Sequence, residues 1–240
     1  MSALVIRDNP KSLGAEAFRT LRTNIDFFNI DKNLKTLAIT SPTPGDGKST
    51  TISNLAIAIA QSGKSVILVD CDLRRPVVHK LFSISNNLGI TDMLVNKDST
   101  KEYIHRTDIE NLYLLPCGTK PPNPAEVLNS DKMNTIIKGL KERFDIVLLD
   151  VPPILAVADS RIVCGRADGV ILLCSYGQTP KSAIVQSKHE LTKIKANLIG
   201  AILTKVPQNK GNYSYYYYGD YINTGKDTAR KNRNHKKNKK

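Results

Sequence analysis

Ten consecutive residues, Ser41-Pro42-Thr43-Pro44-Gly45-Asp46-Gly47-Lys48-Ser49-Thr50, carry the chemistry that organises this chain. They follow the apolar run Leu34 to Thr40 and precede a helix-like segment, Ile52 to Ala60. Gly45 and Gly47 let the backbone turn so that successive N–H groups face an anion. A helix starting just beyond them adds partial positive charge at its N-terminus. Lys48 then reaches the β- and γ-phosphates of a nucleoside triphosphate, and the Ser49 hydroxyl binds Mg²⁺. A glycine turn before an ordinary helix is the plainer alternative. The loop departs from G-x-x-x-x-G-K-[ST] at its first position, where Pro42 stands in place of Gly. Pro44-Gly45 restores a tight turn, so the departure points to a subfamily of phosphate-binding loops.

A second set of reactive side chains lies where apolar runs end. Ile67-Leu68-Val69-Asp70-Cys71-Asp72-Leu73-Arg74 puts two carboxylates at the exit of a strand. Residues i and i+2 of an extended chain share a face, so Asp70 and Asp72 can converge on one site. Val147-Leu148-Leu149-Asp150-Val151-Pro152-Pro153 delivers a third carboxylate in the same way. Three such groups repel one another unless a cation or a shared proton neutralises them. Mg²⁺ bound to phosphate is such a cation. Any one of these aspartates alone would read as a helix cap or a turn residue.

The elements that must position these residues alternate in type. Strands are expected at Lys35–Thr40, Ser65–Asp70, Leu112–Pro116, Ile146–Asp150, Gly169–Ser175 and Leu198–Lys205. Val66-Ile67-Leu68-Val69 and Ile146-Val147-Leu148-Leu149 are unbroken apolar runs, as in strands covered on both faces. Helical spacing marks Thr50–Ser62, Ala125–Arg143 and Pro180–Lys195, and a further N-terminal helix is expected at Ser12–Phe28. The pattern predicts an α/β fold with a doubly wound, mostly parallel sheet, whose ligands sit outside the carboxyl ends of the strands.

Composition narrows the class further. With 240 residues and 40% hydrophobic content, the chain can bury a substantial core as one domain plus a tail. No stretch approaches 18 consecutive apolar residues, and the first residues lack a secretory signal, so a cytoplasmic protein is expected. Cys71, Cys117, Cys164 and Cys174 show no C-x-x-C spacing and read as buried free thiols rather than zinc ligands. The net charge of +13 is uneven: Ile222–Lys240 holds eight Lys or Arg against one Asp, a local +7 that leaves +6 for the other 221 residues. Such a tail can touch anionic lipid, nucleic acid or acidic protein, or stay solvated. From about Gln208 onward the chain is polar, and it carries a tyrosine cluster, Tyr213, Tyr215, Tyr216, Tyr217, Tyr218 and Tyr221. Residues 1–207 therefore read as the folded domain and 208–240 as a flexible Tyr-rich and basic tail.

With these motifs in place, the chain resembles the bacterial tyrosine kinases, and within them the separate kinase subunit of Gram-positive capsule and exopolysaccharide systems. That family consists of MinD/ParA-like P-loop ATPases. The resemblance covers nearly the whole chain. Pro44, Gly45, Asp46, Gly47, Lys48, Ser49 and Thr50 match its Walker A motif, Asp70-x-Asp72-x-Arg74 its A′ motif, and Ile146 to Pro153 its Walker B motif. The resemblance implies ATP and Mg²⁺ as cofactors, with Lys48 on the phosphates and Ser49, Asp72 and Asp150 on the metal. It implies Asp70 as the base for an incoming tyrosine hydroxyl. It also implies the tail tyrosines as sites phosphorylated in trans between subunits.

Glu16-x-x-Arg19-x-x-Arg22 falls near one helical stripe and, read alone, is a solvated stripe with an internal ion pair. The resemblance makes it an oligomerisation motif within residues 12–28 and implies a ring-like homo-oligomer. It further implies a transmembrane adaptor that activates the kinase and holds it at the inner face of the membrane, a cognate tyrosine phosphatase and exogenous protein substrates. Nucleic acid is not expected as a partner. The rival reading is a MinD/ParA-like ATPase switch that positions cargo on membrane or DNA. Thr43 stands where such relatives carry a signature Lys, which favours the kinase.

Overall fold

The computed structural model describes residues 3–95 and 103–207. Along the chain run α1 (Val5–Asp8), α2 (Leu13–Asn29), β1 (Thr36–Thr40), α3 (Lys48–Ala60), β2 (Val66–Asp70), α4 (Val78–Leu81) and α5 (Ile90–Val95). They are followed by β3 (His105–Arg106), β4 (Leu112–Leu115), α6 (Pro124–Asn129), α7 (Asp131–Arg143), β5 (Ile146–Asp150), α8 (Asp159–Arg166), β6 (Gly169–Ser175), α9 (Lys181–Lys193) and β7 (Leu198–Thr204). The strands form one sheet in the order β3-β4-β2-β5-β1-β6-β7. Every pairing is parallel except the short β3–β4 ribbon. Described residues up to Thr204 make one compact unit.

The apolar runs explain the middle of the sheet. All residues of β1, β2, β5 and β6 are buried, because helices cover both faces. One core packs α1, α2, α3 and α4 against Leu37, Ile39, Leu68 and Leu148. The other packs α5, α7 and α8 against Ala38, Ile67, Val69 and Val147. These two lists alternate along each strand, as the pleat requires. Helix α3 is buried on nearly all sides, being sandwiched between the sheet and the N-terminal helices.

Two expectations shift at element ends. Ala125–Arg143 is two helices rather than one, because Ser130 adopts an extended backbone (φ −66°, ψ 152°) and its hydroxyl accepts the Met133 N–H as the cap of α7. The helix expected from Thr50 begins two residues earlier, at Lys48 itself. Ser12 caps α2 by accepting the Ala15 N–H, which sets that helix's start where the sequence placed it. The crossover from β1 to β2 runs to one side of the sheet and that from β5 to β6 to the other. The crevice between the loops after β1 and β5 is therefore where an open α/β sheet takes its ligand.

Candidate functional site

The phosphate loop joins β1 to α3 and forms one wall of that crevice. Gly45 (φ +83°) and Gly47 (φ +101°) both adopt the left-handed conformation that other residues resist. Gly47 is the N-cap of α3 and offers no side chain, so the first-turn amides of the helix have no side-chain cap and stay available to an anion. Lys48 opens the helix and is itself buried, which brings its ammonium to the site rather than to bulk water. Ser49 and Thr50 follow in the first turn. Asp46 is buried and turned into the protein: its carboxylate accepts the Thr43 N–H (3.0 Å), the Thr43 hydroxyl (2.9 Å) and the Thr179 hydroxyl (2.8 Å).

Across the crevice, Asp70 and Asp150 are register partners at the carboxyl ends of β2 and β5, both fully buried. Their surroundings differ. Asp70 accepts the Asp72 N–H on Oδ1 and the N–H groups of Val77 and Val78 on Oδ2, each at 3.2 Å. Neither Asp150 oxygen has a partner with hydrogen-bond geometry. Burial, and then the neighbouring Asp150, push the Asp70 carboxyl well above the usual carboxylate range. Burial pushes Asp150 up to about 7, against the downward pull of the Ser49 hydroxyl and the Lys48 charge. Two adjacent carboxylates in a dry site do not both ionise readily.

Asp72 is half-buried and near enough to raise both neighbours, but its Oδ1 is engaged by the Arg75 N–H at 3.0 Å. The structure thus gathers the three expected aspartates at neighbouring strand ends and leaves each with a different number of free oxygens. Among the described residues no three His, Cys, Asp or Glu side chains form a ready-made metal cage. Mg²⁺ that arrives with a triphosphate needs only one or two carboxylates, the rest of its shell being phosphate and water. The partnerless oxygens of Asp150, buried beside Ser49 and Lys48, fit such an ion.

Supporting contacts brace this wall. Arg74 makes a two-pronged ion pair with the fully buried Asp159 at the start of α8 (2.8 and 3.1 Å). Thr40 and Ser160 both donate to the Pro152 carbonyl, at 2.8 and 2.9 Å, which pins the loop after Asp150 to β1. Sequence reasoning missed Asp159, Ser160 and Thr179. Asp159 had one signal, an acid at the first position of a helix, while Thr179 had none.

The remaining expected residues lie elsewhere. Arg19 pairs with Glu16 at 2.9 Å on the exposed side of α2 and donates to the Pro10 carbonyl at 2.7 Å. Arg22 leans the other way, within 3.4 Å of the Ala58 carbonyl on α3. Tyr213, Tyr215, Tyr216, Tyr217, Tyr218 and Tyr221 lie outside the described residues. All four cysteines are free and buried, and burial pushes Cys117 and Cys164 up to about 12, which makes them unreactive thiols. Among the described residues no helix is long and apolar enough to cross a membrane.

Comparison with known proteins converges on one group. The AAA domain family matches residues 34–202. The chain is 42% identical over 216 residues to tyrosine-protein kinase YwqD of Bacillus subtilis (strain 168), covering 90% of this chain and 91% of that protein. It is 36% identical over 220 residues to the putative tyrosine-protein kinase CapB of Staphylococcus aureus, covering 92% of this chain and 96% of that one. The kinase domain of Escherichia coli tyrosine kinase ETK superposes with a TM-score of 0.83 at 33% identity, over 87% of this chain and 82% of that one.

Proposed function

The chain belongs to the bacterial tyrosine kinases, within the AAA-domain proteins, and from that premise we propose that it transfers the γ-phosphoryl group of ATP to tyrosine hydroxyls. The observation that carries this reading is the pairing of an uncapped helix N-terminus bearing Lys48 and Ser49 with the partnerless, buried carboxylate of Asp150. The loop amides and Lys48 bind the β- and γ-phosphates and neutralise charge that develops as the γ-phosphoryl group departs. Ser49, Asp150 and Asp72 are the residues that would hold Mg²⁺, which would supply positive charge to offset that of the phosphates.

The phenolic oxygen attacks the γ-phosphorus, the bond to the bridging oxygen of ADP breaks, and the phenolic proton passes to a carboxylate. We assign that proton to Asp70. A carboxylate whose pKa is raised by burial is a stronger base than an exposed one, and a phenol with pKa about 10 needs the help. Because Asp70 is fully buried and holds the Asp72, Val77 and Val78 amides, the turn from Asp72 to Val78 must open for the phenol to reach it.

The tail tyrosines, 213, 215 to 218 and 221, are the proposed acceptors, reached from a neighbouring subunit. Glu16, Arg19 and Arg22 of α2 are the proposed subunit contact of a homo-oligomer, Arg22 having to leave the Ala58 carbonyl to join the exposed pair. A membrane adaptor would hold the kinase at the cytoplasmic face, where its phosphorylation state, reset by a phosphatase, would regulate polysaccharide synthesis. The test uses γ-labelled ATP, Mg²⁺ and two chains: one ending at Pro207, and a full chain carrying Lys48→Met. Each alone should take no label on tyrosine, and mixing them should label the tail of the second. ATP hydrolysis without label in the mixture would replace the kinase by an ATPase switch.

A further inference from the structure

Asp46 sits between the two left-handed glycines of the phosphate loop, where a negative charge should repel a triphosphate. Its hydrogen bonds show what the charge is for. Oδ2 accepts both the N–H and the hydroxyl of Thr43, at 3.0 and 2.9 Å, which closes the loop on itself. Oδ1 accepts the Thr179 hydroxyl at 2.8 Å, from the loop between β6 and α9. The Asp46 carbonyl accepts the hydroxyl of Thr204, the last residue of β7, at 2.9 Å. Three donors reach the carboxylate from within the protein, two from Thr43 of its own loop and one from Thr179 of the neighbouring loop, so protein groups engage both of its oxygens.

The direction of the Thr179 bond follows from its second partner. The Ser175 N–H donates to Thr179 Oγ1 at 2.7 Å, which uses that oxygen as an acceptor. A hydroxyl has one proton, and here it is left for Asp46. The chain of contacts therefore runs from the end of β6 through Thr179 to the phosphate loop, and every group in it is buried or half-buried. Loop amides that must all point at one anion bind it best when they are held in place beforehand, because the loop then loses less freedom on binding.

We infer that Thr179, acting through Asp46, is a positioning residue for the phosphate loop, tying it to the β6–α9 loop so that its amides are set for nucleotide before nucleotide arrives. This rests on the reading of Gly45–Ser49 as the phosphate site and reaches beyond it to a residue that no motif includes. Thr179→Val keeps the shape and removes the hydroxyl; Thr179→Ser keeps the hydroxyl.

The direct measurement is calorimetric titration of the full chain and both variants with ADP and Mg²⁺, with ATP kinetics beside it. Thr179→Val should bind ADP about tenfold more weakly, the scale of losing a hydrogen bond to a charged group, and its KM for ATP should rise more than its kcat falls. Thr179→Ser should restore both. Equal affinity of Thr179→Val and the parent would overturn the inference. So would Thr179→Ser failing alongside Thr179→Val, or a loss confined to kcat. A parent that binds ADP but transfers no phosphate defeats only the kinase reading, since the tie is judged on affinity. A parent that binds no nucleotide defeats both.

Discussion

Two aspartates at opposite ends of the sheet meet opposite treatment. Asp168, just before β6, accepts the N–H groups of Lys35 (2.9 Å) and Thr36 (2.8 Å) and the ammonium of Lys141 (2.9 Å). Burial alone would raise its carboxyl, but Lys141 and the two amides overrule it and hold it below the ordinary value. Asp150, at the carboxyl end of β5, is more deeply buried and, with the Ser49 hydroxyl near, has no partner with hydrogen-bond geometry. One end of the sheet satisfies its charge with protein groups and gains stability from it. The other buries a carboxylate that no protein group satisfies, at a cost to the stability of the fold.

Breaking the satisfied end should produce the larger effect on folding. Asp168→Ala leaves the Lys141 ammonium and two strand-end amides without their acceptor, a loss of roughly 1–3 kcal/mol. For a chain of this length that lowers the melting temperature by several degrees, about 2–4 °C per kcal/mol, as read by calorimetry. Nucleotide affinity below the transition should be unaffected, because the residue lies at the far end of the strands.

The unsatisfied end should show a smaller effect of opposite sign. Asp150 has its pKa raised from 3.8 to about 7, so the folded chain binds more protons than the unfolded one between those values. Its contribution is therefore fully present below about pH 4 and is lost as pH rises towards 7. Asp168, held low, acts the other way and loses its contribution only as pH falls below the ordinary carboxylate range. Asp150→Asn, measured by thermal melts without nucleotide from pH 4 to 8, should flatten the decline towards neutral pH and match or exceed the parent's stability at pH 8. A steeper decline than the parent's would sink the claim that this carboxylate is left unsatisfied.

How much of this was legible beforehand divides along the same line. The unsatisfied end announces itself in sequence, because function there depends on short-range order: Gly45, Gly47, Lys48 and Ser49 are adjacent, and Asp70 and Asp150 each end an unbroken apolar run. The parallel sheet follows from those runs and the helices between them. Long-range partnerships were not legible. Thr179 lies 133 positions from Asp46, and Asp159 lies 85 from Arg74, so no local spacing joins them. The break at Ser130 was hidden because helical periodicity continues on both sides of a single extended residue. The differing occupancy of Asp70, Asp72 and Asp150 was also beyond reach, since alternation along a strand assigns faces but not hydrogen bonds.

The most direct test of the unsatisfied carboxylate is titration of the chain with a non-hydrolysable ATP analogue, in Mg²⁺ and then in a chelator. The parent and Asp168→Asn should both lose about tenfold or more in affinity when the metal is withdrawn, about 1.4 kcal/mol. Asp150→Asn should bind weakly and almost equally in both conditions. If Asp150→Asn kept the parent's full dependence on Mg²⁺, the Asp150 carboxylate beside Lys48 and Ser49 would not be the metal's ligand.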